Sequence, residues 1–393
     1  MKSKDICFFT GARAEYGLLA PVMAAVRDAA DLRLRLLVSG MHLAPEFGLT
    51  WRQIEADGFA IDERVEMLLA SDSPLGMAKS AGLGLMGLAE ALERLQPACL
   101  VVLGDRFETF AAAAAAYMLG IPLVHLHGGE VTAGALDEGF RHAISKMSNL
   151  HLVATEEYRR RVIQLGEQPA TVHVVGALGI VNIRTLPPLS LPEIEAELGL
   201  ALGAGSVLVT FHPATLGAGA AGDEAAALLA ALEHFPALRI IFTRANADSA
   251  GREVNRLVDA WAAARPERTR VFDALGRLRY LSTLRQVDAV IGNSSSGLIE
   301  APSLGVPTVN IGDRQQGRTR AASVIDCPAA AGAIVRACEQ AFSPDFRRRA
   351  AAAINPYEQP DTIGRIMERL RTADTLSRKK IFYDLPAPTQ EVA

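Results

Sequence analysis

The chain has 393 residues, half of them hydrophobic and 21% charged, with a formal net charge of −4. That length suggests two domains, and the composition excludes a largely disordered chain or a short disulfide-stapled one. The slightly negative balance supplies no basic field for nucleic acid, so an anionic ligand must be held by local arginines and backbone N–H groups.

The opening stretch MKSKDICFFTG reads as a short strand and a glycine turn, not as a secretory leader. Apolar runs follow at Ile6–Thr10, Leu34–Ser39, Leu100–Leu103, Leu123–His127, Leu150–Ala154 and Val172–Val175. Helical patterns such as Tyr16–Ala29 and Phe107–Leu119 lie between them, the βαβ signature of a doubly wound parallel sheet. The longest apolar stretch, Phe110 to Val124, is broken by Gly120 and Pro122 into helix and strand and is too short for a membrane span. A cytoplasmic protein without membrane partners is expected.

Pro187, Pro188 and Pro192 mark a linker over 179–205. A second series then begins at Val207–Phe211, Arg239–Thr243, Arg270–Phe272, Ala289–Ile291 and Thr308–Asn310. The expected architecture is α/β, with two Rossmann-like domains over 1–178 and 206–355 facing across a cleft. Residues 356–393 should form a helix, Asp361–Arg371, and a frayed polar tail. Cys7, Cys99, Cys327 and Cys338 form no CxxC pair, which points away from zinc and from a disulfide framework.

Ligands of open α/β sheets bind beyond the carboxyl ends of the strands, and the unusual residues of this chain cluster there. The first turn, Thr10–Gly17, carries Arg13 in a glycine-containing loop before a helix, which suits a phosphate, although a plain βα turn is equally consistent. It is not GxGxxG, and the second run ends in Ser39-Gly40-Met41-His42 with no acidic residue for a ribose diol, so a nicotinamide site is disfavoured. Leu103-Gly104-Asp105-Arg106-Phe107-Glu108 can be a helix cap or a reactive pair. His125-Leu126-His127-Gly128-Gly129-Glu130 and Leu136-Asp137-Glu138-Gly139-Phe140-Arg141-His142 add carboxylates and histidines at the same edge. Such a cluster can raise one pKa for proton transfer, whereas it lacks the spaced ligands of a hydrolytic metal centre.

In the second half, Phe211-His212-Pro213 ends a strand. Gly292-Asn293-Ser294-Ser295-Ser296-Gly297-Leu298-Ile299-Glu300 offers hydroxyls, glycines and a helix start for a diphosphate, with Glu300 placed to accept ribose hydroxyls. Asn310 to Arg318 places Arg314 after the next strand.

Taken in order, GARAEYG, GDRFE, HGGE, DEGFRH, NSSSGLIE and NIGDRQQGR resemble the hydrolysing enzymes of the UDP-N-acetylglucosamine 2-epimerase family. The likeness is to the bacterial sialic-acid and legionaminic-acid branch and runs from about residue 6 to residue 325. It implies a glycosyltransferase-B-type fold and the elimination of UDP from the sugar to a 2-acetamidoglycal. Water then adds to give a free manno-configured sugar, with no cofactor and no metal. The implied partner is a small nucleotide-sugar, and a homo-oligomer is expected.

By motif, the resemblance makes Asp105 and Asp137 acid/base positions, and Arg13, Arg106, Ser294, Ser295, Glu300 and Arg314 nucleotide contacts. Ser296 and Gly297 belong to the same cradle, and His42, His212 and Asn246 line the sugar side. Many relatives read HxEGGE where this chain has His127, which leaves the role of that glutamate to His127, Glu130 or Glu138. UDP-N,N'-diacetylbacillosamine is the alternative substrate. A retaining glycosyltransferase or a nucleotide-sugar sensor would have no use for the HGGE…DE carboxylates.

Overall fold

A computed structural model of the chain describes residues 3–71, 73–132, 136–203, 205–213, 221–245 and 249–386. The first apolar series builds β1 (Lys4–Thr10), β2 (Leu32–Ser39), β3 (Glu63–Val65), β4 (Cys99–Leu103), β5 (Leu123–Leu126), β6 (Leu150–Val153) and β7 (Val172–Val174). They form one sheet in the order β3-β2-β1-β4-β5-β6-β7, every pair parallel. The second series builds β8 (Ser206–Thr210), β9 (Arg239–Thr243), β10 (Thr269–Phe272), β11 (Ala289–Gly292), β12 (Thr308–Ile311) and β13 (Val324–Cys327). Its order is β10-β9-β8-β11-β12-β13, again all parallel. Both orders run 3-2-1-4-5-6, with a seventh strand added at the far edge of the first sheet, the doubly wound arrangement whose direction reverses beside the first strand. The switch points are therefore β1/β4 and β8/β11.

The central strands are continuously apolar because helices cover both faces; β4, Cys-Leu-Val-Val-Leu, is buried throughout. The helix Phe107–Met118 carries alanine from Ala111 to Ala116, all buried, and small side chains let it lie close to both sheet and neighbouring helix. It packs against Pro74–Leu95 in the first core, with Leu88 and Leu92. In the second sheet Val207, Val209, Ile240, Ile291 and Val309 face Leu228, Leu232 and Ile334. All four cysteines are buried and free.

The chain divides into two units. The first gathers the described residues of Met1–Glu130, Asp137–Leu178 and Gln359–Ala393, and the second those of Val131–Leu136 and Gly179–Glu358. Two segments behave differently from expectation. The presumed linker contains helices Leu178–Thr185 and Leu191–Leu198, the latter begun by a capping box between Ser190 and Glu193 with Pro192 in its first turn. The C-terminal segment returns to the first unit. Arg371 pairs with Asp31, Lys4 Nζ donates to the Arg371 carbonyl at 2.6 Å, and Tyr383 N–H donates to the Gly166 carbonyl at 2.9 Å.

The last residues, 387–393, lie outside the described ones, and the described part of that tail is tied through Lys380. Its Nζ lies 2.7 Å from buried Glu167, which also meets Lys146 at 2.6 Å and His151 at 3.0 Å. Burial pushes the Glu167 carboxyl up, but the His151, Lys146 and Lys380 hydrogen bonds outweigh it and hold the pKa at about 2. Among the described residues no helix is long and apolar enough to cross a membrane.

Candidate active site

At the β1/β4 switch point the chain gathers carboxylates around two arginines. β4 ends at Leu103, and Gly104 with a φ of +80° turns the chain so that Asp105 and Arg106 precede the helix Phe107–Met118. Asp105 forms an ion pair with Arg141, whose side chain is 2% exposed; Arg141 also pairs with Glu138 and donates to the Glu130 carbonyl at 3.1 Å. Arg141 lies on the helix Asp137–Met147, so one buried guanidinium binds the end of β4 to that helix. Asp137 begins the helix on its open side. Asp137 is exposed, yet desolvation by the protein around its carboxyl, and then the Asp105 charge, push it up to about 6, against the pull of Arg106 and Arg141. Asp105 and Asp137 therefore differ in environment: one is locked to an arginine, the other is poised to exchange a proton near neutrality.

His127 follows β5 with a φ of +63°, a conformation rare for a side chain with a Cβ. Its Nδ1 lies 2.9 Å from Glu130 Oε1, and its Nε2 accepts the Leu178 N–H at 3.2 Å. Both ring nitrogens are engaged, which fixes the Nδ1–H tautomer and holds Glu130, itself 5% exposed, in place. His42 is likewise enclosed, between Thr10 Oγ1 at 2.9 Å and Thr50 Oγ1 at 2.7 Å, and burial lowers its pKa to about 4. It ties β1 to the turn after β2 instead of presenting a ring edge. Arg13 opens the helix Arg13–Arg27, exposed. His142 Nε2 lies 3.1 Å from Glu138.

Three residues of this cluster went unmarked in the motif reading. Arg141 bridges it, and Glu15 and Glu108 flank Arg106. Glu15 Oε2 accepts the Gly11 N–H at 2.8 Å, yet burial pushes its pKa up to about 7, since the Arg106 guanidinium is 3.8 Å away and shared with Glu108. All three lie inside helices, where a charged residue ordinarily reads as solvated surface; their burial is the signal.

In the second unit, β8 ends at Thr210, two residues before His212, and β11 ends at Gly292. A Cβ on Gly292 would stand 2.0 Å from the Thr210 carbonyl, so only glycine allows the two strands to run side by side here. Asn293 then clamps His212: its Oδ1 accepts the His212 N–H and its Nδ2 donates to the His212 carbonyl, both at 2.7 Å. His212 Nδ1 is buried without a hydrogen-bond partner among the described residues. Burial, then Arg314, lower its pKa to about 3, so the ring is neutral. Arg314 Nη1 and Gln315 Nε2 donate to the Asn293 carbonyl at 3.0 and 2.8 Å, which brings the arginine loop beside the serines.

The helix after the serines is a single turn, Ser296–Ile299, with Glu300 at its end against Gly179. The helix start expected from the motif is thus one α turn followed by a 3₁₀ turn, Ala301–Leu304, and the candidate cradle consists of backbone N–H groups and the hydroxyls of Ser294, Ser295 and Ser296. Gly297 is buried behind them. Asn246 lies outside the described residues.

A carboxylate cluster thus lies at one switch point and a set of hydroxyls and an arginine at the other. The model of a family described as UDP-N-acetylglucosamine 2-epimerase matches residues 24–371. The chain belongs to that family. It is an enzyme of the hydrolysing 2-epimerase type. One relative, from Campylobacter jejuni and named GDP/UDP-N,N'-diacetylbacillosamine 2-epimerase (hydrolyzing), is 39% identical over 83% of this chain and 85% of its own. Another, the Escherichia coli polysialic acid biosynthesis protein P7, is 38% identical over 98% of this chain and 99% of its own. Among solved structures, Neisseria meningitidis UDP-GlcNAc 2-epimerase bound to UDP-GlcNAc superposes with a TM-score of 0.79 at 18% identity. It covers 93% of this chain and 99% of that one, and shows the shared fold.

Proposed function

We propose that the chain converts UDP-N-acetylglucosamine and water to N-acetylmannosamine and UDP, supplying the free sugar for nonulosonic (sialic) acid synthesis in the cytoplasm. The observation that carries this reading is the unequal carboxylate pair, Asp105 held by Arg141 and Asp137 raised to about 6. Elimination requires a base for the proton on the second carbon and stabilisation of positive charge growing at the anomeric carbon. Asp137 is suited to move the proton, and the Asp105 carboxylate to meet the developing charge. The C1–O bond breaks towards the diphosphate, leaving the 2-acetamidoglycal. Water then places hydroxyl on the first carbon, and a proton returns to the opposite face of the second.

For the leaving group, Ser294, Ser295, Ser296 and Arg314 supply donors to the diphosphate, Glu300 accepts from the ribose, and neutral His212 offers a further polar edge. Arg13, open at a helix start, is a second candidate for phosphate. Glu130, fixed by His127, is the carboxylate that remains in this motif and takes over the role of the missing glutamate, with His127 as its holder.

A second reading is favoured by the Campylobacter relative: the same reaction on UDP-N,N'-diacetylbacillosamine. Incubation with each substrate, with the released sugar read by NMR, separates the two. Free N-acetylmannosamine from the first supports the leading reading. Turnover of the diacetamido sugar alone transfers the assignment, and turnover of neither overturns both.

A further inference from the structure

The geometry points to Arg106 as the reader of a neutral oxygen acceptor on the sugar, with Glu108 as its positioning residue. This rests on the nucleotide-sugar reading and departs from the nucleotide contact that the GDRFE motif implied for Arg106. Arg106 Nε lies 3.2 Å from Glu108 Oε2 and Nη2 lies 2.9 Å from Glu108 Oε1. Nη2 also meets Met41 Sδ at 3.4 Å. The paired edge of the guanidinium is thus satisfied inside the protein, while Nη1 has no hydrogen-bond partner among the described residues and the side chain is 34% exposed.

Glu108 itself is 0% exposed and cannot drift. A Cβ on Gly11 would stand 3.1 Å from Glu108 Cβ. One on Gly40, whose φ is +58°, would stand 2.9 Å from the Gly11 carbonyl and 3.1 Å from Glu108 Cγ. The turns after β1 and β2 therefore close on the Glu108 side chain that follows β4, and the carboxylate aims the arginine.

Charge excludes the alternative. A diphosphate is gripped best by an arginine with its fork open and its charge uncompensated. Here Glu108 and Glu15 already share the guanidinium, and the Asp137 charge acts on it as well. A dianion brought to this edge would meet a guanidinium whose charge the Glu108 carboxylate already compensates. A single uncharged oxygen, an acyl carbonyl or a hydroxyl, needs only the one donor edge that remains.

The test uses the full chain with Arg106→Met, Glu108→Gln and the double variant. Arg106→Met is expected to lower kcat/KM for the active UDP-sugar about 10- to 100-fold, with the UDP inhibition constant unchanged within about threefold. The double variant, which leaves no lone buried charge, should be no worse than Arg106→Met, because Glu108 acts only through Arg106. UDP inhibition weakening in step with kcat/KM would return Arg106 to the diphosphate, and additive losses would remove Glu108 from the argument.

Two competitive inhibitors locate the oxygen. If Arg106→Met abolishes discrimination against UDP-glucosamine, which lacks the acyl carbonyl, that carbonyl is the contact. If it abolishes discrimination against UDP-N-acetylgalactosamine, the contact is the oxygen on the fourth carbon. Unchanged discrimination against both overturns the proposal. A wild-type chain that turns over no UDP-2-acetamido sugar would instead overturn the proposed function itself and this inference with it.

Discussion

Glu15→Gln should stabilise the protein above pH 7 and be slightly destabilising near pH 5. In the folded chain the Glu15 carboxyl titrates at about 7, whereas its ordinary value is 4.5. Folding therefore favours the protonated form: stability is fully present below 4.5 and is lost as the pH rises through 7. The gap, at about 1.4 kcal/mol per tenfold change in proton affinity, is roughly 3 kcal/mol by pH 8. Glutamine keeps an oxygen for the Gly11 N–H, bonded at 2.8 Å in the native chain. Its amide N–H group, however, faces Arg106 where an oxygen now stands, an offset of about 1–2 kcal/mol.

A net gain of about 1–2 kcal/mol remains, which corresponds to a rise in melting temperature of roughly 2–8 °C for a unit of this size. Melting curves of both proteins at pH 5, 6, 7 and 8 provide the assay, the difference widening with pH. A difference that stays flat from pH 5 to pH 8, or that favours the native glutamate at pH 8, would refute the reasoning that burial dominates over Arg106 at this position.

Other outcomes follow from the same geometry. Asp105→Asn and Asp137→Asn should each lower kcat by about 10²–10⁴-fold while UDP still binds. If Asp137 acts as a base, kcat/KM rises as the pH climbs through about 6, and that limb disappears in Asp137→Asn; an unchanged profile would free Asp137 of the role. Arg314→Ala should weaken UDP binding about 10- to 100-fold by calorimetry. Lys380→Ala removes one of the cations on buried Glu167 and should lower the melting temperature by roughly 2–6 °C without altering UDP affinity.

Much of this fold is visible in the residues themselves. Runs such as Cys99–Leu103 must be strands covered on both faces, and their spacing by helix-length segments leaves a parallel sheet as the natural outcome. Edge strands are harder: β3 is Glu-Arg-Val and β13 is Val-Ile-Asp-Cys, short and partly polar, and the pairing partner supplies what their composition lacks. Ser190-Leu191-Pro192-Glu193 looks like linker because of its proline. The serine–glutamate spacing nevertheless encodes a capping box, and proline is at home in a first helical turn.

At the site, strand-end residues such as Asp105 and His212 were legible because position after an apolar run marks them. Arg141, Glu15 and Glu108 were not, since a helix does not announce which charged residue it turns inward. His127 illustrates the converse: an attractive residue in a glycine-rich motif whose two nitrogens are both taken, one by the Leu178 N–H some 51 positions along the chain. The Lys380–Glu167 tie is similarly beyond local pattern, for it joins segments more than two hundred residues apart.

The central claim is that the sugar passes through elimination and rehydration, and running the reaction in D₂O tests it most directly. The account predicts a released sugar of manno configuration carrying deuterium on its second carbon, because that proton is removed to the protein and replaced from solvent. A product whose second carbon retains its original hydrogen, whatever its configuration, would contradict it.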